Sequence, residues 1–238
     1  MTAMDTSGRG AAWDVGSVIG TAASTLFGHF VPFVGTALVA SLPSLLFTIF
    51  VPDSRGQSIV DFIVGQIVTV TLVYGTVPAL RGRQVSISEC LSQGLKRLGA
   101  AIGVGILTGI GIVLGAVFFL VPGFILATMW AVAIPAATIE QKGVMLSISR
   151  SSDLTRERRW RVFGAFLVST LITLAVGAVV GAIAGVIGGE HSVTFSVVLW
   201  AVTATSQAFS ACVVATLYYF LRREKEGVDI DEIASVFD

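Results

Sequence analysis

The 238-residue chain is 54% apolar and only 13% charged, with a mean hydropathy of +0.88. Soluble domains carry roughly a quarter charged residues, so about half of a water-solvated surface is missing and an ordinary soluble globule is excluded. Formal net charge is zero; no global field draws a polyanion, and no nucleic acid partner is expected.

Residues 1–11 read as a polar, flexible tail. Trp13-Asp14-Val15-Gly16-Ser17 then opens a short amphipathic helix with Val15, Val18, Ile19, Ala22, Ala23 and Leu26 at helical spacing. The first long apolar run, Phe30–Val51, follows Arg9 by about twenty residues. A cleaved signal has a shorter apolar core and a closer basic region, so this run is expected to be a retained span. Spanning ~30 Å of hydrocarbon takes roughly 20 apolar residues. The further candidates are Ile59–Leu80, Leu98–Val121, Phe124–Ile139, Val162–Gly188 and Val193–Leu221. Turns are expected at 52–56, at Pro122-Gly123 and at 189–191. A re-entrant hairpin of the third and fourth runs is the alternative to two full crossings.

Charge sorting orients the chain. Fourteen of the 15 Lys and Arg fall in the N-terminal tail, around residues 81–97, around 142–161 or after the sixth run, whereas the loops of the other side hold only Arg55. The positive-inside rule then places both termini in the cytoplasm. After the second run comes Val85-Ser86-Ile87-Ser88-Glu89, and after the sixth Val228-Asp229-Ile230-Asp231-Glu232. Ser86 with Glu89, and Asp229 with Glu232, have capping-box spacing. Residues from Ile87 to Leu98 and from Val144 to Glu157 read as further amphipathic helices, the latter leading into Arg158-Arg159-Trp160-Arg161, an interfacial anchor.

The expected fold is therefore all-α: a polytopic membrane protein of six transmembrane helices arranged as three hairpins, each preceded by an amphipathic interfacial helix. One transmembrane domain, 12–228, would divide into units 12–85, 86–143 and 144–228, with an acidic cytoplasmic tail at 229–238. Gly99, Gly103, Gly105, Gly109, Gly111 and Gly115 in the third run, and Gly177, Gly181 and Gly185 in the fifth, recur at spacings that let helix backbones approach closely. These two spans are expected at the crowded centre of the bundle; a dimer face is the alternative. Pro78 and Pro135 mark kinks or helix ends, with the freed carbonyls satisfied by neighbouring groups.

Ionisable residues within spans are the usual functional pointers, and here they are scarce. Asp61 is expected near water at the outer end of the second span, and His29 at the inner end of the first. Gln66 and Gln207 are expected to hydrogen-bond adjacent helices. Cys90 and Cys212 read as small core residues. His29 and His191 fall on opposite sides, so no metal site is expected; no P-loop, H-E-x-x-H or G-x-S-x-G occurs. The tail carboxylates, Glu224 and Glu226 among them, read as a solvated helix. Neither an enzyme nor a cofactor is expected.

The run from Val121-Pro122-Gly123-Phe124 through Ala133-Ile134-Pro135 to Glu140, then Ser149-Arg150-Ser151 and Trp160-Arg161-Val162-Phe163, is distinctive. With Tyr218-Tyr219-Phe220-Leu221-Arg222 and Glu226-Gly227-Val228-Asp229, it resembles the membrane domain of bacterial glycerophosphoryl diester phosphodiesterases and related free-standing, uncharacterised inner-membrane proteins. The resemblance implies a multi-pass protein of the bacterial inner membrane associated with lipid, and not the phosphodiesterase activity, which belongs to a separate soluble domain. The leading expectation is a non-catalytic protein that organises membrane lipids or a membrane partner (another protein or a second copy) through Arg81, Arg83, Lys96, Arg97, Arg156, Arg158, Arg159 and Arg161. A small permease for an apolar or lipid-like solute is the alternative, which a polar cavity inside the membrane would favour.

Overall fold

Helix is the regular structure throughout the described residues, 13–51, 56–80, 86–118, 120–141, 143–188 and 192–227 of a computed structural model. These described residues form ten helices in order: α1 Val15–Gly28, α2 Phe30–Phe50, α3 Gln57–Leu80, α4 Ile87–Lys96, α5 Leu98–Phe118, α6 Leu120–Met129, α7 Ala133–Glu140, α8 Val144–Thr155, α9 Arg159–Gly188 and α10 Val193–Glu226. Six segments are long and apolar enough to cross a bilayer: α2, α3, α5, the α6–α7 pair over Val121–Glu140, α9 and α10. The chain is a multi-pass membrane protein.

Local sequence explains where these helices start and stop. Asp14 caps α1, its carboxylate accepting the Ser17 backbone N–H at 2.8 Å while the Ser17 hydroxyl accepts the Asp14 N–H at 3.1 Å. Those hydrogen bonds, with the Ser17 N–H foremost, hold the Asp14 carboxyl below its ordinary pKa. Only His29 separates α1 from α2. Pro32, third in α2, has no N–H to continue the ladder to Gly28, so the helix is interrupted there. Ser86 caps α4 by accepting the Glu89 N–H at 3.2 Å, and α4 ends at Arg97, with φ −107° and ψ 2°, before α5 begins. The matching signal at Asp229–Glu232 lies outside the described residues.

One turn expectation needs correction. Pro122-Gly123 was expected to separate the third and fourth spans, but it lies inside α6. Pro122 occupies the first turn, where a missing N–H has no helical partner to lose. Gly123 is needed for contact: a Cβ there would stand 2.8 Å from the Ala116 backbone of α5. The fourth span is also not one helix. It breaks over 130–132, one turn before Pro135, whose ring would clash with the carbonyl four residues back.

The break is mended by α8. Ser151 accepts the Val132 N–H at 3.2 Å and donates its hydroxyl to the Met129 carbonyl at 2.8 Å, which also receives Thr155 at 3.2 Å. Ser147, Ser151 and Thr155, four residues apart, form the buried face of α8, while Met145 and Leu146 point outward at 71% and 62% exposure. This inverts a soluble amphipathic helix. Small hydroxyl groups share the protein-facing side with Leu154 because broken backbone must be satisfied there, while Met145 and Leu146 face away. Neighbouring groups do satisfy the backbone near Pro135, as its position suggested.

The centre of the molecule lies between α3 and α10, with α1, α2 and α9 against α10. In α3, 61% of the most apolar stretch is buried, against 22% in α5 and 6% in α9. The expectation that the glycine-rich third and fifth spans form the crowded centre is therefore wrong. The small residues at the centre are Ala204, Ala208, Cys212 and Thr216, every fourth residue of α10. Glycine in α5 does admit close neighbours: a Cβ would meet Val144 at Gly103, Gln66 at Gly105, Trp130 at Gly111 and Leu126 at Gly115. Gly99, Gly109 and Gly177 have nothing within 4 Å, and Gly181 meets only Leu199 at 3.4 Å. Valines and leucines of α9 such as Val179, Val186 and Leu174 point outward, as on a surface covered by lipid or another helix.

The short helices pack on this centre. Val18, Ala22 and Leu26 of α1 are buried, and Gly94 of α4 sits so close to α3 that a Cβ would come within 2.7 Å of the Thr71 Cα. Both cysteines are buried and free, and burial pushes the Cys90 thiol pKa up to about 12.

Candidate functional site

Three places bring polar chemistry together. The first is the end of the bundle where α7, α8 and α10 meet. α10 has 34 residues, a length of about 51 Å at 1.5 Å per residue, well beyond a ~30 Å hydrocarbon layer. Its last turns carry Arg222, Arg223, Glu224, Lys225 and Glu226. Glu140, at the end of α7 and 7% exposed, accepts from Arg150 Nε at 2.8 Å and from the Tyr218 hydroxyl at 2.8 Å. Arg150 also pairs with Glu226, which receives Arg222 Nε at 2.9 Å. Burial lowers the Arg150 pKa, but hydrogen bonds to Glu140 and Glu226 outweigh it and raise the pKa overall.

Beside this network, Arg158 grips Glu224 with Nε at 2.9 and 3.1 Å and Nη2 at 2.6 Å. These bonds raise its pKa further. Glu224 receives the Trp13 indole N–H at 2.9 Å, and Arg161 donates to the Trp13 carbonyl at 2.8 Å and stands 5.8 Å from the Trp13 ring centre. Glu224 and Glu226 are thus paired, partly covered groups, not the solvated tail face expected. Composition could not separate the two; the i,i+4 spacing of Arg222 and Glu226 was the available signal. The residues that carried the family resemblance, Glu140, Arg150, Tyr218, Arg222 and Glu226, converge here although they are far apart in sequence.

The eight basic residues expected to bind lipid or partners divide accordingly. Arg81 and Arg83 lie outside the described residues. Arg97, Arg158 and Arg161 are engaged within the fold: Arg97 donates to the Thr138 carbonyl and stands over the Tyr74 ring. Lys96 and Arg156 are exposed. Arg159 is half-buried, and its Nε has no hydrogen-bond partner.

Arg159 marks the second place. With Trp160 and Phe163 of α9 and Val121, Phe124, Ile125 and Thr128 of α6 it lines a groove of about 460 Å³. The Phe163 ring meets Phe124 edge-on at 5.3 Å and Trp160 at 6.2 Å. Trp160 is 85% exposed. Apart from Arg159 the lining is almost wholly apolar, so the groove pairs a cation at one end with a hydrocarbon-compatible wall.

The third place was not foreseen. A cavity of about 450 Å³ lies between α2, α3 and α10, lined by Ser41, Ser44, Thr48, Gln57, Asp61, Trp200, Thr203 and Gln207 among others. Ser44 and Gln57 donate to Asp61 Oδ1, the latter at 2.9 Å. The Trp200 indole N–H donates to the Ser41 carbonyl at 3.1 Å. Gln207 was expected to bond a neighbouring helix, as was Gln66, yet neither Oε1 has a partner. In Gln207 the cause is its position on the cavity wall; in Gln66 the side chain lies against Gly105, which offers no donor side chain. Among the described residues, no group of three His, Cys, Asp or Glu could hold a metal ion.

No family model, curated protein or solved structure matches the chain.

Proposed function

We propose that this protein is a non-catalytic component of the bacterial inner membrane that binds anionic phospholipid at its basic, cytoplasmic face and organises lipid or a membrane partner there. The observation that carries the reading is Arg159: a guanidinium with an unpartnered, buried Nε at the edge of an apolar groove walled by Phe124, Trp160 and Phe163. An acyl chain fits the groove, and a phosphate fits the guanidinium, whose planar fork matches phosphate oxygens. Exposed Arg156 and Lys96 add attraction to anionic headgroups. Placing this face in the cytoplasm follows the charge sorting of the sequence, with three helix-plus-hairpin units whose short helices α1, α4 and α8 lie in the interface. The family resemblance supports the same reading.

Native mass spectrometry of the full chain carried through washes in mild detergent tests it. Wild type should retain phosphatidylglycerol in preference to phosphatidylcholine, and Arg159→Gln should lose that preference while Lys96→Gln largely keeps it. Equal retention of both lipids by wild type, or no effect of Arg159→Gln, would remove the reading.

The polar cavity between α2, α3 and α10 favours a second reading, a small permease. Flux of a solute through liposomes containing the protein is its test; a tight liposome would end it.

A further inference from the structure

The cavity between α2, α3 and α10 has a directional arrangement of charge and hydrogen-bonding groups. Its lining extends along α10 from Phe195 to Gln207, about 18 Å at 1.5 Å per residue, so it runs from the outer end of the helices toward their middle. Asp61 is the fifth residue of α3 and lies in the outer part. Among the described residues, no lysine, arginine or histidine lines the space and no ion pair to Asp61 exists. Ser44 and Gln57 donate to Oδ1, which positions the carboxylate and leaves Oδ2 without a donor among those residues. Deeper, Gln207 Oε1 is a second acceptor without a partner. The Trp200 ring forms part of the wall, held by its N–H to the Ser41 carbonyl.

Asp61 is exposed at the cavity, and its carboxylate has no counter-ion among the described residues. The other polar groups lining the space are hydroxyls and the Gln57 and Gln207 amides, beside the Trp200 ring and apolar side chains; with a carboxylate and no cation among the described residues, the set suits a positively charged hydrogen-bond donor. A volume of about 450 Å³ is that of a small-molecule pocket and far exceeds one bare metal ion.

We propose that this cavity binds a small organic ammonium ion, with Asp61 as its counter-ion and Trp200 as its aromatic wall. The inference deepens the permease reading by naming the class of solute, and binding does not itself require passage.

The test uses full-length protein in phosphatidylcholine nanodiscs, with 2-phenylethylammonium as probe, 2-phenylethanol as its neutral counterpart and empty nanodiscs subtracted. Titration calorimetry should show saturable binding of the amine to wild type, with the alcohol at least tenfold weaker. Asp61→Asn keeps an acceptor for Ser44 and Gln57 but removes the charge, and should weaken amine binding tenfold or more. Ser196→Phe fills the cavity from α10 while keeping Asp61 itself and should abolish binding; with the alcohol comparison it decides the matter if Asp61→Asn does not fold. Equal binding of amine and alcohol, undiminished binding in both variants, or complete displacement of the amine by an equal concentration of sodium chloride would overturn the assignment. Amine binding without flux into liposomes would sink the permease and leave the site standing.

Discussion

Ser151 shows how much can rest on one hydroxyl. It accepts from Val132 and donates to Met129, so it closes both sides of the break in the fourth span. Removing it leaves a buried N–H unsatisfied and takes a donor from the carbonyl. Ser151→Ala should therefore cost about 1–3 kcal/mol, read as a lower thermal unfolding midpoint in detergent; Ser152→Ala, one position away and bonding neither group, should leave the midpoint almost unchanged. Cys90 offers a second residue-scale expectation. Its side chain is wholly buried and its thiol pKa is raised to about 12, so the reactive thiolate is scarce up to pH 9. Native protein should resist maleimide at pH 7–9, and denatured protein should react; rapid labelling of Cys90 in the native state would contradict the packing of α4 on α3.

At the scale of helices, glycine has different consequences in different spans. A Cβ at Gly111 would come 2.4 Å from the Trp130 ring, whereas Gly177 has open space around it. Gly111→Ala should destabilise by about 1–3 kcal/mol through overpacking. Gly177→Ala should be neutral or slightly stabilising in a monomer, since alanine is the better helix former. Unfolding midpoints of the two variants check this. A Gly177→Leu variant that changes oligomeric state on gel filtration would identify the outward face of α9 as an interface between copies. The sequence showed a stripe of small residues in both spans but gave no means to tell contact from exposure, because small residues tolerate a close neighbour without requiring one. The central α10 stripe is not legible in the sequence because alanine, unlike glycine, is unremarkable in a helix.

At the scale of the whole molecule, the N-terminal segment, the α8–α9 corner and the end of α10 are joined at Trp13, Arg158, Arg161 and Glu224. Arg158→Ala should loosen this junction and shift the emission of Trp13 to longer wavelength as its ring gains water; Trp13→Phe in the same background identifies the signal. Topology is tested with the same protein. Because both native cysteines are buried, a cysteine placed at Glu157 should be labelled only by reagents admitted to the cytoplasmic side, and one at Ser192 from outside intact cells. Labelling of both from one side would refute the proposed orientation.

The sequence by itself determined that the chain is helical and multi-pass, and where most spans lie, because hydrocarbon solvation demands long apolar runs with satisfied backbones. It also identified the cap at Ser86, and Pro135 as a disruption, since these depend on residues close along the chain. Tertiary structure decided which helices form the centre, that α8 turns its hydroxyls inward, and that Glu140, Arg150 and Glu226 meet. It also revealed a polar cavity spanning three helices. Each of these depends on residues brought together from distant parts of the chain, and periodicity carries no information about which helix faces which. Arg97, Arg158 and Arg161 look alike to Arg156 and Arg159 in the sequence; only the partners that folding brings to the first three separate them from exposed Arg156 and from Arg159, whose Nε has none.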